Sequence, residues 1–199
     1  MLALLSIYLA IAAGKCPSSF DFKDITSIGK RAYENCADTI GDDLVIPETV
    51  TEIGANSFYG CKGITGILTI NAKCITIGNG AFDGCTGITK VILNDMIETL
   101  GSHCFRYCSN LTAVELPKSL RTIEKGAFYQ CTELSVKIES SGSLYNIESF
   151  AFYCSKISSI NFNSNYQIYI GLHSFSNCNA LESLTLPSNI LINYNMKTV

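Results

Sequence analysis

Ten of the 199 residues are cysteine, and seven of them keep one company: each closely follows an aromatic. The pairs are Tyr33/Cys36, Phe58/Cys61, Phe82/Cys85, Phe105/Cys108, Phe128/Cys131, Phe152/Cys154 and Phe175/Cys178. Thiols can bind a soft metal, join in disulfides or act as nucleophiles, so their placement decides the chemistry. Zinc requires ligands that converge on one tetrahedral point, and the chain has no C-x2-C pair to begin such a site. Residues that recur once per structural unit stand in a file instead. Free cysteine is among the most buried residue types, so the file reads as a ladder of thiols filling a narrow groove. Cys104 replaces an alanine of the same pattern, and Cys74, in a turn beside Lys73, is the expected exposed thiol.

The other groups suited to catalysis are few. His103 and His173 share one position, two before the aromatic and three units apart; at ~4.8 Å per rung they lie ~14 Å from each other, too far to share a proton or a metal. Their counterparts Arg31, Asn56, Gly80, Gly126 and Phe150 vary as an outer surface does. No nucleophile elbow, H-E-x2-H, P-loop or paired-carboxylate arrangement occurs. The chain is expected not to be an enzyme, with no cofactor and no metal.

The spacing of the aromatic/cysteine pairs is 23 to 25 residues, which identifies a solenoid. Its formula is Ile, three residues, a small residue, an aromatic, two residues, Cys, two residues, Leu or Ile, two residues, Val or Ile, one residue, Leu and often Pro. Leu100, Cys104, Phe105, Cys108, Leu111, Val114, Leu116 and Pro117 follow it, as do Ile170, Ser174, Phe175, Cys178, Leu181, Leu184, Leu186 and Pro187. Three irregularities stand out: an extra residue between Ile64 and Ile70, a shifted alternation at Leu134, Val136 and Ile138, and a missing residue between Phe152 and Cys154.

Val114/Leu116 and Leu184/Leu186 alternate with polar or small residues, the mark of a half-buried strand. One strand per repeat, stacked on the next, makes a parallel sheet. The small residue beside each aromatic marks a tight, short helical turn. Pro47, Pro117 and Pro187 start turns where a missing N–H costs nothing. About seven buried apolar side chains per repeat, at ~1.5 to 3 kcal/mol each, offset chain entropy only when neighbouring repeats are present. A lone repeat should be unfolded.

Composition agrees with an ordered chain: 47% apolar, 16% charged and a net charge of -3. Lys and Arg are scattered singly, which argues against a nucleic-acid partner or an anionic membrane surface. Residues 1–14 form an uncharged apolar run ending in small residues. It is read as a secretory signal peptide, with an ordinary buried first element as the alternative, and it is short of the ~20 residues that span a membrane. An exported chain permits disulfides. Residues 15–27 lack the repeat and read as an N-terminal cap, with Phe20, Phe22 and Ile25 covering the first rung and Cys16 as a possible partner of Cys36. Residues 28–192 are repeats, and 193–199 are a degenerate C-terminal cap or a truncated end. Asn110 opens the only N-x-[ST] sequon, either a glycosylation site or a chance match.

The pattern L-x2-[IV]-x-L-P-x2-[LI]-x2-I-x3-A-F-x2-C, carried by residues 28–190, resembles the BspA-like, treponemal-type leucine-rich repeat. The resemblance implies a right-handed leucine-rich repeat solenoid with parallel strands on its concave face, in secreted or cell-surface proteins that bind or adhere. The expected partner is a protein or glycan on a host, a matrix or a neighbouring cell. From the alternation, the positions facing it are Lys90, Ile92, Ala113, Glu115, Lys137, Ser159, Asn161, Ser183 and Thr185. The rival reading is a structural spacer that associates end to end.

Overall fold

In the computed structural model of the protein, residues 16–37, 42–140, 143–162, 167–186 and 190–192 are described. The proposed leader and residues 193–199 fall outside them, as does Pro187. The chain opens with β1 (Ser27–Ile28), β2 (Leu44–Ile46), β3 (Glu52–Ile53), β4 (Gly66–Ile70) and β5 (Thr76–Ile77). It continues through β6 (Ile88–Leu93), β7 (Thr99–Leu100), β8 (Ala113–Glu115), β9 (Thr122–Ile123) and β10 (Lys137–Ser140). It closes with β11 (Asn146–Ile147), β12 (Ser159–Phe162), β13 (Tyr169–Ile170), β14 (Ser183–Thr185) and β15 (Leu191–Ile192).

These strands form a parallel solenoid with two strands per repeat rather than the expected one. The odd-numbered strands from β1 to β15 build an eight-stranded sheet. The strands read from the alternation form a second surface in two parts, β2-β4-β6-β8 and β10-β12-β14. The expected irregularities fall where these sheets break or slip. Register shifts between Gly66 and Ile67, where Gly66 faces Ile88 and Ile67 faces Lys90. The shifted alternation at Leu134 and Val136 lies between the two parts.

Between the sheets runs one core. Tyr33, Phe58, Phe82, Phe105, Phe128, Phe152 and Phe175 form a continuous stack, with neighbouring ring centroids 5.0 to 5.5 Å apart. Each contact of this kind is worth about 0.5 to 1.5 kcal/mol beyond burial. Val114 and Phe128 are buried and Leu116 is partly so. At the first rung Phe20 and Phe22 meet Tyr33 edge-on at 5.3 and 6.2 Å. Ile25 is buried beside them.

Leu184, expected in the core, is 44% exposed, and Leu186 is only partly buried. Among the described residues its strand β14 ends the order of its sheet and pairs with β12 alone, so no described rung lies against the other side of Leu184.

The short helical turn expected beside each aromatic is instead a run of hydrogen-bonded turns. Two residues per repeat, four apart, have positive φ: Asn56 (55°) and Gly60 (72°), then Gly80 and Gly84, then His103 (59°) and Tyr107 (58°). A left-handed residue interrupts α-helical continuity. The N–H groups therefore alternate between their own coil and the next. Ser57, Tyr59 and Cys61 donate to Gly54, Asn56 and Phe58, while Asn56, Phe58 and Gly60 donate to Asn79, Ala81 and Asp83. Every coil is thus sewn to its neighbour through the turns as well as through both sheets.

Candidate functional site

The alternation places outward side chains in files, because in-register parallel pairing puts equivalent positions side by side. Lys90 pairs with Ala113, and Ile92 with Glu115. Lys137, Ser159 and Ser183 form one file of the second part, and Asn161 and Thr185 belong to another. The nine expected contact positions therefore lie on one kind of surface, divided between two sheets. Sequence reading missed four of its members: Val45, Ile67 and Thr69 continue the same files onto β2 and β4, and Glu139 stands in register with Asn161. Val45 is 50% exposed. Its isolated strand, Leu-Val-Ile, shows no polar alternation, so only the in-register neighbours reveal which face it presents.

This surface is mixed and mostly small. Lys90 Nζ and Glu115 Oε1 lie 2.6 Å apart, so the two formal charges of the first part satisfy each other. Such an exposed pair contributes at most about 1 kcal/mol. Its role on this surface is to keep the local field close to neutral.

The cysteines are a file, as their spacing demands, and their sulfurs are occupied. Cys61, Cys85, Cys108 and Cys131 donate from Sγ to the carbonyl oxygens of Tyr33, Phe58, Phe82 and Phe105, the aromatics one coil back, at 2.9 to 3.3 Å. Cys178 does the same to Phe152 at 3.2 Å. Burial raises the Cys61 thiol to about 12 and pushes Cys85, Cys108 and Cys131 up as well. Thiols held protonated in this way are poor nucleophiles. Cys36, the first rung of the file, is joined to Cys16 with the Cα atoms 5.2 Å apart.

Two sequence expectations about thiols are corrected. Cys74 is buried, 4% exposed, because it points inward where the chain approaches β5; desolvation raises it to about 11. Cys154 is not a rung of the ladder. Ser155 takes that place, three residues after Phe152, with Oγ 2.8 Å from the Phe152 carbonyl oxygen and 3.3 Å from Cys178 Sγ. Cys154 occupies the second positive-φ position instead and is partly exposed. The missing residue consequently lies between Ser155 and the buried Ile157. Cys104 does stand in the alanine file, fully buried like Ala81 and Ala127.

Neither histidine is a free surface residue. Burial, then the Arg106 cation, holds His103 below the usual histidine value, with Asp83 opposing. His173 Nδ1 lies 3.0 Å from Ser176 Oγ, and its ring is 5.2 Å from Phe150. Both occupy the first positive-φ position of their coils, which accounts for Asn56, Gly80 and Gly126 at the equivalent places. Asp83 is buried and paired with Arg106, whose Nε and Nη2 reach Oδ2 at 2.9 and 2.6 Å. Asn110 is exposed in the turn before β8. Among the described residues no three metal-binding side chains come together, and no helix is long and apolar enough to cross a membrane.

Residues 26–142 and 75–196 match the model of the BspA type leucine rich repeat region, with six copies. The chain belongs to the BspA-type leucine-rich repeat family. Among solved structures of such repeats, a leucine rich repeat protein of Treponema pallidum is 27% identical, with 76% of this chain and 73% of that one covered and a TM-score of 0.68. A leucine rich cell surface protein of Faecalibacterium prausnitzii is 29% identical over 81% of this chain and 42% of its own, with a TM-score of 0.64. A leucine-rich repeat protein of Eubacterium ventriosum reaches 35% identity over 65% of this chain and 34% of its own, at 0.60. No curated protein matches. The repeat formula thus accounts for the inward positions of this solenoid.

Proposed function

We propose that this chain is a non-catalytic binding module, exported or displayed at a cell surface, that engages a protein partner through the outward faces of its strands. One observation carries the reading. The inward positions of β4, β6 and β8 stay Leu, Ile or Val, whereas their outward neighbours change from coil to coil, Ile67 to Lys90 to Ala113 and Thr69 to Ile92 to Glu115. A rigid, nearly neutral surface of small polar and apolar groups suits a flat protein interface, whose core is depleted of charge. The cell-surface relative from F. prausnitzii supports display at a surface.

The test is affinity capture of matrix and cell-surface proteins with the full chain and with a combined variant, Lys90→Ala, Ile92→Ser, Glu115→Ala, Asn161→Ala and Thr185→Ala. Loss of captured partners in the variant, with the circular dichroism spectrum unchanged, supports the strand-face reading. Equal capture by both proteins refutes it.

A second reading, end-to-end assembly, is favoured by β14, whose three residues are exposed and which pairs with β12 alone among the described residues. An open strand edge is a template for pairing with another chain. Light scattering decides this: a mass that rises with concentration and falls on Leu184→Lys supports assembly.

A further inference from the structure

The sheet of two-residue strands carries a feature that strand-face binding does not use. A shallow cleft of about 460 Å³ is lined by Lys125, Tyr145, Asn146, Glu148, Ser149 and Tyr169. Its size falls in the range of small-ligand sites. The register explains why it forms at this place. The first residue of the short strand is Thr76, Thr99 and Thr122 in three successive coils, and then becomes Asn146 and Tyr169. Two larger side chains thus replace a file of threonines, and Tyr145 stands exposed just before them.

The lining has a definite chemistry. Asn146 Oδ1 is sealed from solvent and has no hydrogen-bond partner. A buried acceptor in that state is rare in folded proteins and needs an explanation. Asn146 lines the cleft, and the terminal torsion of an asparagine is broad, so its amide can turn to meet a ligand there. Glu148 uses Oε2 to accept the backbone N–H of Lys125 at 3.0 Å and retains Oε1 as a second acceptor. Lys125 and Ser149 supply donors. One cation and one anion balance, so neither an anionic nor a cationic ligand is favoured. Two tyrosine rings add apolar surface with polar tips.

We propose that this cleft binds a neutral saccharide. Hydroxyl groups both donate and accept, so a sugar can give hydrogen bonds to Asn146 and Glu148 and take them from Lys125 and Ser149. Its C–H faces lie against Tyr145 and Tyr169. The site is independent of the strand-face proposal, since no residue is shared.

The experiment probes the full chain against an array of neutral, sialylated and sulfated oligosaccharides, followed by calorimetric titration of the best neutral sugar. Binding to neutral glycans is expected, weakened at least tenfold in Tyr145→Ala/Tyr169→Ala. Asn146→Thr, which installs the residue of the preceding coils and should fold normally, is expected to weaken it similarly. The combined strand-face variant should bind sugar as the parent does. No glycan binding, binding confined to acidic glycans, or unchanged affinity in Asn146→Thr overturns the proposal.

Discussion

The thiol of Cys131 donates to the carbonyl oxygen of Phe105 at 3.0 Å, and that same oxygen receives the backbone N–H of Cys108 at 3.3 Å. One carbonyl thus closes a turn in its own coil and ties down the next. At the equivalent place Ser155 bonds the Phe152 carbonyl of its own coil and touches Cys178, so a hydroxyl is tolerated there. Cys131→Ser should cost about 1 kcal/mol or less. Cys131→Ala, which loses the bond and leaves a small void, should cost about 1 to 2. Cys131→Leu overpacks the groove and should cost about 3. Urea midpoints of the three variants check the order.

The buried thiols also set a limit at alkaline pH. Burial raises Cys61 from an ordinary 9.0 to about 12, and Cys85 and Cys108 move the same way. Between these values the unfolded chain has lost protons that the folded chain retains. Linkage then makes stability fall as pH rises. Stability from this source is complete below pH 9 and is lost progressively toward pH 12. Denaturant midpoints measured from pH 8 to 11 should decline above 9, and less steeply in Cys61→Ser/Cys85→Ser. In the native protein at pH 8 a thiol reagent should label one cysteine rapidly, Cys154, and Cys154→Ser should abolish that phase.

Where the sequence was legible, a side chain reported its own burial. The ring stack, the cysteine file and the alternation at Val114 all follow from residue types at fixed spacing. The eight-stranded sheet was hidden because strands such as Thr76–Ile77 and Thr122–Ile123 are each two residues long, too short to display a period. Leu184 obeys the formula and stands in register with the buried Ile160, yet it is 44% exposed, because burial of a rung depends on what packs beside it and not on its own residues. Cys154 misled because the aromatic/cysteine pairing was counted by residue type, whereas the fold counts by position and places Ser155 on the rung. The positive-φ signal was present all along, in Asn56, Gly60, Gly80, Gly84 and Gly126 at two positions four residues apart. It was obscured where His103, Tyr107 and Phe150 accept the same backbone. Of the cleft, only Asn146 and Tyr169 breaking a run of threonines could have been noticed.

The disulfide between Cys16 and Cys36 spans 20 residues of chain. Closing a loop of that size contributes about 3 kcal/mol by restricting the unfolded state. It also holds Phe20 and Phe22 against the end of the ring stack. Cys16→Ser should therefore lower the melting temperature and expose the first rung, giving dye binding to apolar surface before the main transition. A reductant should reproduce the effect in the parent protein and leave Cys16→Ser/Cys36→Ser unchanged.

Turn positions should respond oppositely to glycine. Gln130 has φ 60°, a conformation that the equivalent Gly60 and Gly84 adopt without a side-chain penalty. Relief of a left-handed side chain is worth about 1 to 2 kcal/mol, partly offset by the greater freedom of an unfolded glycine. Gln130→Gly should be neutral or stabilising by up to about 1 kcal/mol. Gly84→Val places a branched side chain at φ 73° and should destabilise by about 2 kcal/mol or more. Thermal melts of both variants give the comparison.

Asp83 and Arg106 couple adjacent coils through a pair that is sheltered on one side only: the carboxylate is 5% exposed and the guanidinium 33%. Desolvating a carboxylate is tolerated because Nε and Nη2 both reach Oδ2, and the bond to Asp83 raises the Arg106 pKa further. Removing the cation alone strands a buried charge, whereas removing the carboxylate alone leaves an arginine that water can reach. The two single variants should therefore differ. Arg106→Met should cost about 3 kcal/mol, at the lower end of what breaking a buried pair costs, because Arg106 is partly solvated. Asp83→Asn should cost less. The double variant should be less destabilised than the sum of the two, by about 1 to 3 kcal/mol. A double-mutant cycle from denaturant melts at pH 7 measures this coupling, and strict additivity would show that the pair is a bystander to coil stacking.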